Sequence, residues 1–125
     1  KLINDGVLSQ MDMGTLLDYC AIQLNGEKAG GKEAVININF TDTKEKVMLM
    51  LKNGVLNHRL GSQDKKADLT MEIAKMDFVK LFFGRTDLQT LRKTNKVKTT
   101  GDTKAIDMIR SAYEPADPNF KIVLP

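Results

Sequence analysis

The sequence has one cysteine, one histidine and no tryptophan among its 125 residues. A single cysteine excludes an intrachain disulfide and any multi-cysteine zinc centre. A single histidine, His58, leaves no second imidazole for a hydrolytic metal site and no partner for a nucleophile–base pair. No run approaches the length of a membrane span. The opening Lys1-Leu2-Ile3-Asn4-Asp5-Gly6 carries a charge, but no apolar stretch or small-residue cleavage site of a secretory signal. An excess of one charge is missing too: 19 basic residues face 16 acidic ones, a net charge of +3. The basic residues come in small groups, such as Lys65-Lys66 and Arg92-Lys93, without stacking aromatics in a basic setting, so nucleic-acid binding is not expected.

What is present fits one domain. Hydrophobic residues make up 42% and charged residues 28%, enough for a core and a solvated surface, which excludes a disordered tail. The length leaves no room for a second ordinary domain. The chain begins without Met and in mid-phrase, which suits a piece of a longer protein.

Hydrophobic periodicity predicts the elements. Met13, Leu16, Leu17, Cys20 and Leu24 recur at spacings of three and four and form the apolar stripe of a helix. Asn25-Gly26 closes it, with Gly26 in the left-handed position, and Gly30-Gly31 is a join. Over 35–41 the period becomes two: Ile36, Ile38 and Phe40 face a core, and Asn37, Asn39 and Thr41 face solvent. A turn at 41–44 leads to a second strand over 45–52, apolar on both faces through Val47, Leu49 and Leu51 and through Met48 and Met50. Asn53-Gly54 calls for a type I′ hairpin turn into a third strand over 55–60. A polar loop over 61–66 precedes a fourth strand over 67–73. These strands read as a meander of sequence neighbours. A helix over 75–83, apolar nearly all round and ended by Gly84, is followed by a short helix over 87–93 and a strand over 96–100. Asp102 caps a last helix that buries Ala105, Ile106, Ile109, Ala112 and Tyr113. Pro115 and Pro118 stop it, and the apolar tail over 120–125 packs on the body. The fold class is α+β, with a mostly antiparallel five-stranded sheet packed with helices.

No catalytic constellation emerges. His58 stands without metal-ligating partners. Ser9, Ser62 and Ser111 lack a nucleophile-elbow context. Cys20 lies on a core stripe. Asp68 with Glu72, and Asp42 with Glu45, read as solvated carboxylates rather than acid–base pairs in a cleft. Gly30-Gly31-Lys32 lacks the rest of a phosphate loop. An anion site at Thr99-Thr100-Gly101-Asp102 is opposed by the capping carboxylate itself. The positive signal is a surplus of methionine and phenylalanine, chemistry that suits either a covered core or an adaptable apolar cavity.

The stretch from Leu16 to Gly26, then Ala34 to Thr43, then Asn53-Gly54-Val55-Leu56-Asn57 resembles the C-terminal domain of bacterial alkyl sulfatases. So do the helix that ends at Gly84, the Lys98-Thr99-Thr100-Gly101-Asp102 turn and the closing Phe120 to Pro125. The resemblance covers nearly the whole chain, 1–125 being one domain, and implies a sterol-carrier-protein-like fold around a hydrophobic cavity. It implies a metallo-β-lactamase-type catalytic domain with two zinc ions, and a dimerisation domain, elsewhere in the parent. The chain itself needs no cofactor, and the zinc-binding His-x-His-x-Asp-His type motif is absent from it. The implied parent is a zinc-dependent sulfuric ester hydrolase, periplasmic or secreted, and its partners here are a long-chain alkyl sulfate, fatty alcohol or lipid and the catalytic domain. The expected lining of the cavity is Leu17, Tyr19, Met48, Met50, Met71, Phe78, Phe82 and Phe83, with Arg59 or Arg85 as candidates for an anionic head group. The alternative is a module that docks on the catalytic and dimerisation domains without a ligand.

Overall fold

The structure is a computed structural model and describes residues 10–112. The expectations for Tyr113, Pro115, Pro118 and the 120–125 tail, and for Ser9, lie outside those residues. Helix α1 (Met13–Gln23) buries Met13, Leu16, Leu17, Tyr19 and Cys20. It ends at an extended Leu24. Gly26 therefore does not take the left-handed position; it begins a one-turn helix, α2 (Gly26–Ala29), whose cap is Asn25. The Asn25 side chain accepts from Glu27 N and Lys28 N at 3.0 and 3.3 Å, and this turn wins over helix termination by glycine. Gly26 is needed for a different reason: a Cβ there would sit 3.1 Å from the carbonyl oxygen of Gly54, so two bare backbones meet.

Strand β1 (Ala34–Phe40) pairs antiparallel with β2 (Lys46–Lys52), and β2 pairs antiparallel with β3 (Val55–Leu60). Asn53 and Gly54 both have positive φ, 54° and 74°, as a type I′ turn requires. Strand β4 (Leu69–Ile73) departs from the expected meander. It passes β3 and β2 and pairs parallel with β1, and β5 (Val97–Gly101) pairs antiparallel with β4. The sheet order is β3-β2-β1-β4-β5, a mixed sheet.

The crossover over 61–68 explains the placement. Asn37, expected to be solvated, is 7% exposed because its amide donates to Asp64 O at 2.7 Å and accepts from Asp64 N at 2.9 Å. Gln63 reaches Asn39 beside it, at 3.1 Å. The polar face of β1 thus binds the chain that crosses it. Asp68 completes the join: its carboxylate accepts from Val35 N and its own N donates to Val35 O, both at 2.8 Å.

Helix α3 (Lys75–Phe82) follows β4 and stops at Gly84, where φ is 72°. Asp42 ties its start to the β1–β2 turn by accepting from Lys75 N at 3.1 Å. Helix α4 (Leu88–Lys93) is capped by Asp87, and α5 (Lys104–Arg110) buries Ala105, Ile106 and Ile109. Asp102 stands one residue before the cap position, Thr103, and its carboxylate still accepts from Lys104 N at 2.9 Å.

Candidate apolar site

The pairing register fixes which strand side chains share a face. Ile36 stands beside Leu49 and Leu69, and Ile38 beside Val47 and Met71. These residues join the buried side chains of α1, α3, α4 and α5 in one core cluster. Six of the eight expected lining residues lie in that cluster: Leu17 and Tyr19 on α1, Met71 on β4, Phe78 and Phe82 on α3, and Phe83 at its end. The rings form an aromatic series in two parts. Phe40 meets Phe78 edge-on with centroids 5.5 Å apart, and Phe78 meets Phe82 at 4.6 Å. Tyr19 meets Phe83 edge-on at 6.3 Å, which links α1 to the end of α3.

Met48 and Met50 are not brought to this group. Successive strand residues point to opposite faces, so these two leave β2 on the side away from Val47, Leu49 and Leu51. They are half-buried opposite Asn37 and Val35 on β1 and Arg59 and Asn57 on β3. Sequence reasoning saw a strand apolar on both faces and merged two environments. It also missed Lys75, which is 8% exposed and whose amine donates to Met11 O. A lysine at a helix start reads as solvated, and no local signal marks it otherwise.

Burial pushes the Cys20 thiol up to about 12. Burial, and then the neighbouring Cys20, raise the Tyr19 phenol. His58 Nδ1 lies 3.7 Å from the carboxylate of exposed Asp18, a link between β3 and α1. Ser111 Oγ donates to Met108 O at 2.8 Å and accepts from Lys32 at 3.0 Å. Among the described residues no group of three or more His, Cys, Asp or Glu could hold a metal ion. No helix among them is long and apolar enough to cross a membrane. Arg59 and Arg85 are exposed. A groove of about 420 Å³ lies where β4 ends and β5 begins, between Glu72 and Asp77 on one side and Lys96 and Lys98 on the other. None of the eight expected lining residues borders it.

Comparison with known proteins identifies this architecture. The family described as "Alkyl sulfatase C-terminal" matches residues 1–125. A linear primary-alkylsulfatase from Pseudomonas sp. is 32% identical over 115 residues, 92% of this chain and 17% of that protein. The chain thus spans about a sixth of such a relative. The solved stereoselective inverting sec-alkylsulfatase Pisa1, also from Pseudomonas sp., superposes with a TM-score of 0.80 at 32% identity, over 91% of this chain and 18% of that one. The palmitated sterol carrier protein 2-like-2 of Aedes aegypti shares the fold at 16% identity, with a TM-score of 0.55, over 84% of this chain and 100% of that one. The chain belongs to the alkyl sulfatase C-terminal family and has the sterol-carrier-protein-2-like fold.

Proposed function

We propose that this chain is a non-catalytic domain that holds the alkyl chain of a hydrophobic substrate for a parent alkyl sulfatase. The observation that carries the reading is the apolar interior between sheet and helices, in which Tyr19, Met71, Phe78, Phe82 and Phe83 converge. The family adds the substrate class, an alkyl sulfate or the alcohol released from it. The palmitated relative adds that this fold can carry a fatty chain. Hydrolysis, and the two zinc ions it would use, then belong to another part of the parent.

The energetics suit capture and release. Each methylene withdrawn from water contributes about 0.8 kcal/mol gross, so half of a twelve-carbon tail gives on the order of 5 kcal/mol. Association costs reduce that figure. The test is calorimetric titration with alkyl sulfates and fatty alcohols of increasing length, kept below their micelle thresholds. Affinity that grows with chain length, with a negative heat-capacity change, is expected. No binding across the series by the folded domain would sink the reading.

The outer sheet face favours a second reading. Met48 and Met50 are half-buried there, beside Val55 at 51% exposed, a surface suited to docking on the rest of the parent. Concentration-dependent self-association without alkyl binding would support it.

A further inference from the structure

The net charge of +3 is not spread evenly. Residues 85–104 hold six basic side chains, Arg85, Arg92, Lys93, Lys96, Lys98 and Lys104, against Asp87 and Asp102. That segment is net +4, so the remainder of the chain is net −1. All six basic residues are exposed. Both acids are held at helix starts: Asp87 accepts from Thr90 N at 2.7 Å, and Asp102 from Lys104 N at 2.9 Å.

The fold sets four of the six, Arg92, Lys93, Lys96 and Lys98, on one border. Strand β5 is an outer strand of the sheet, and α4 packs beside it. Four basic residues, Arg92, Lys93, Lys96 and Lys98, fall within seven consecutive positions that contain no acid. Arg92 reaches β5 from one side, donating to Thr99 Oγ1 at 2.6 Å. Lys96 and Lys98 flank the groove on the other side, with Val97 and Ala74 as apolar footing.

Ordinary structural roles explain parts of this. Cations suit the C-terminal end of α4, and a lysine on an outer strand discourages sheet extension. Glu72, the register partner of Lys98, and Asp77 across the groove offset part of the charge of Lys96 and Lys98, but no role named here calls for four cations without an acid over 92–98. A single-stranded nucleic acid would want stacking aromatics, and 85–104 contains none.

We propose that the α4–β5 border is the surface with which this domain settles on an interface of alkyl sulfate head groups, such as a micelle or a membrane loaded with the substrate. The inference rests on the alkyl-chain reading above and extends it. Interfacial capture places the apolar interior next to a high local concentration of chains, while long lysine stems lie along the interface with their ammonium groups on the sulfates.

The test is co-sedimentation of the chain with phosphatidylcholine vesicles, either plain or carrying hexadecyl sulfate. Binding is expected only with the sulfate present, and it weakens as salt rises. The triple variant Lys93→Gln/Lys96→Gln/Lys98→Gln is expected to bind on the order of a hundredfold more weakly, at about fivefold per lost charge. A control of equal net charge, Lys46→Gln/Lys65→Gln/Lys66→Gln, is expected to bind like the parent sequence. Equal loss in both triple variants would overturn the border as the contact surface, as would no binding by the parent sequence. Equally tight binding to phosphatidylglycerol vesicles, or to an oligothymidylate, would overturn alkyl sulfate as the partner. Monomeric decanol binding, measured by calorimetry on the same triple variant, separates the two proposals. Its retention with vesicle binding lost supports the border. Vesicle failure with decanol bound by the parent sequence removes the border alone.

Discussion

At Cys20 the thiol is fully enclosed by the core, and burial holds it neutral up to about pH 12, against an ordinary value of 9.0. The unfolded chain therefore releases this proton first as the pH rises. The resulting stability is whole below pH 9.0 and is lost progressively as the pH climbs toward 12. Melting temperatures followed across that window should fall, and Cys20→Ala should remove part of the slope. A thiol reagent at pH 8 should label the native chain only in denaturant. Asp87 acts in the opposite direction. The hydrogen bond from Thr90 N lowers its pKa first of all, so its stabilisation is present above the ordinary value of 3.8 and fades as acid protonates the folded form. Asp87→Ala should lower the melting temperature at pH 7, and by less as the pH falls below 3.8. Within the aromatic series, Phe82→Ala opens a cavity and should cost about 3–5 kcal/mol by urea denaturation. Phe83, at 7% exposed on the border of the cluster, is the gentler probe of binding. Phe83→Ala should weaken alkyl binding several-fold in a folded domain, and unchanged affinity would remove Phe83 from the lining.

Among the elements, the crossover between β3 and β4 depends on β1 for its position. Asn37→Ala deletes both hydrogen bonds to Asp64 and leaves that backbone without its partner, a loss of about 1–3 kcal/mol measurable by denaturation. Proteolysis of the 61–66 segment should accelerate in that variant. Gly101 marks another tight place, with φ at 108° and a would-be Cβ only 2.5 Å from Asp68 O. Gly101→Ala should destabilise the β4–β5 pair, with amide exchange rising first at Thr70 and Thr100, which face each other in its register. Strand boundaries were legible because alternation and turn chemistry are local: β3 was expected over 55–60 and is found there. The parallel pairing was not legible. It rests on an asparagine that reads as a solvent-facing residue until the crossing chain covers it.

For the molecule as a whole, the composition made a core certain but could not assign its sides. Alternation within β2 required Met48 and Met50 to oppose Leu49. Which face the helices would cover was decided only when α1 and α3 packed on the Leu49 side, so six expected lining residues converge and two do not. The charge distribution differs: Arg92, Lys93, Lys96 and Lys98 are already neighbours in the chain, and the fold adds that β5 is an outer strand with α4 beside it.

The sequence by itself determined the five strands, the longer helices, the type I′ turn at Asn53-Gly54 and the family, because periodicity, turn residues and residue types act over a few positions or on composition. Tertiary structure alone decided the mixed sheet, the burial of Asn37 and Lys75, and the separation of Met48 and Met50 from the aromatic series. Each of these depends on contacts between segments distant in the chain, and no local pattern encodes them.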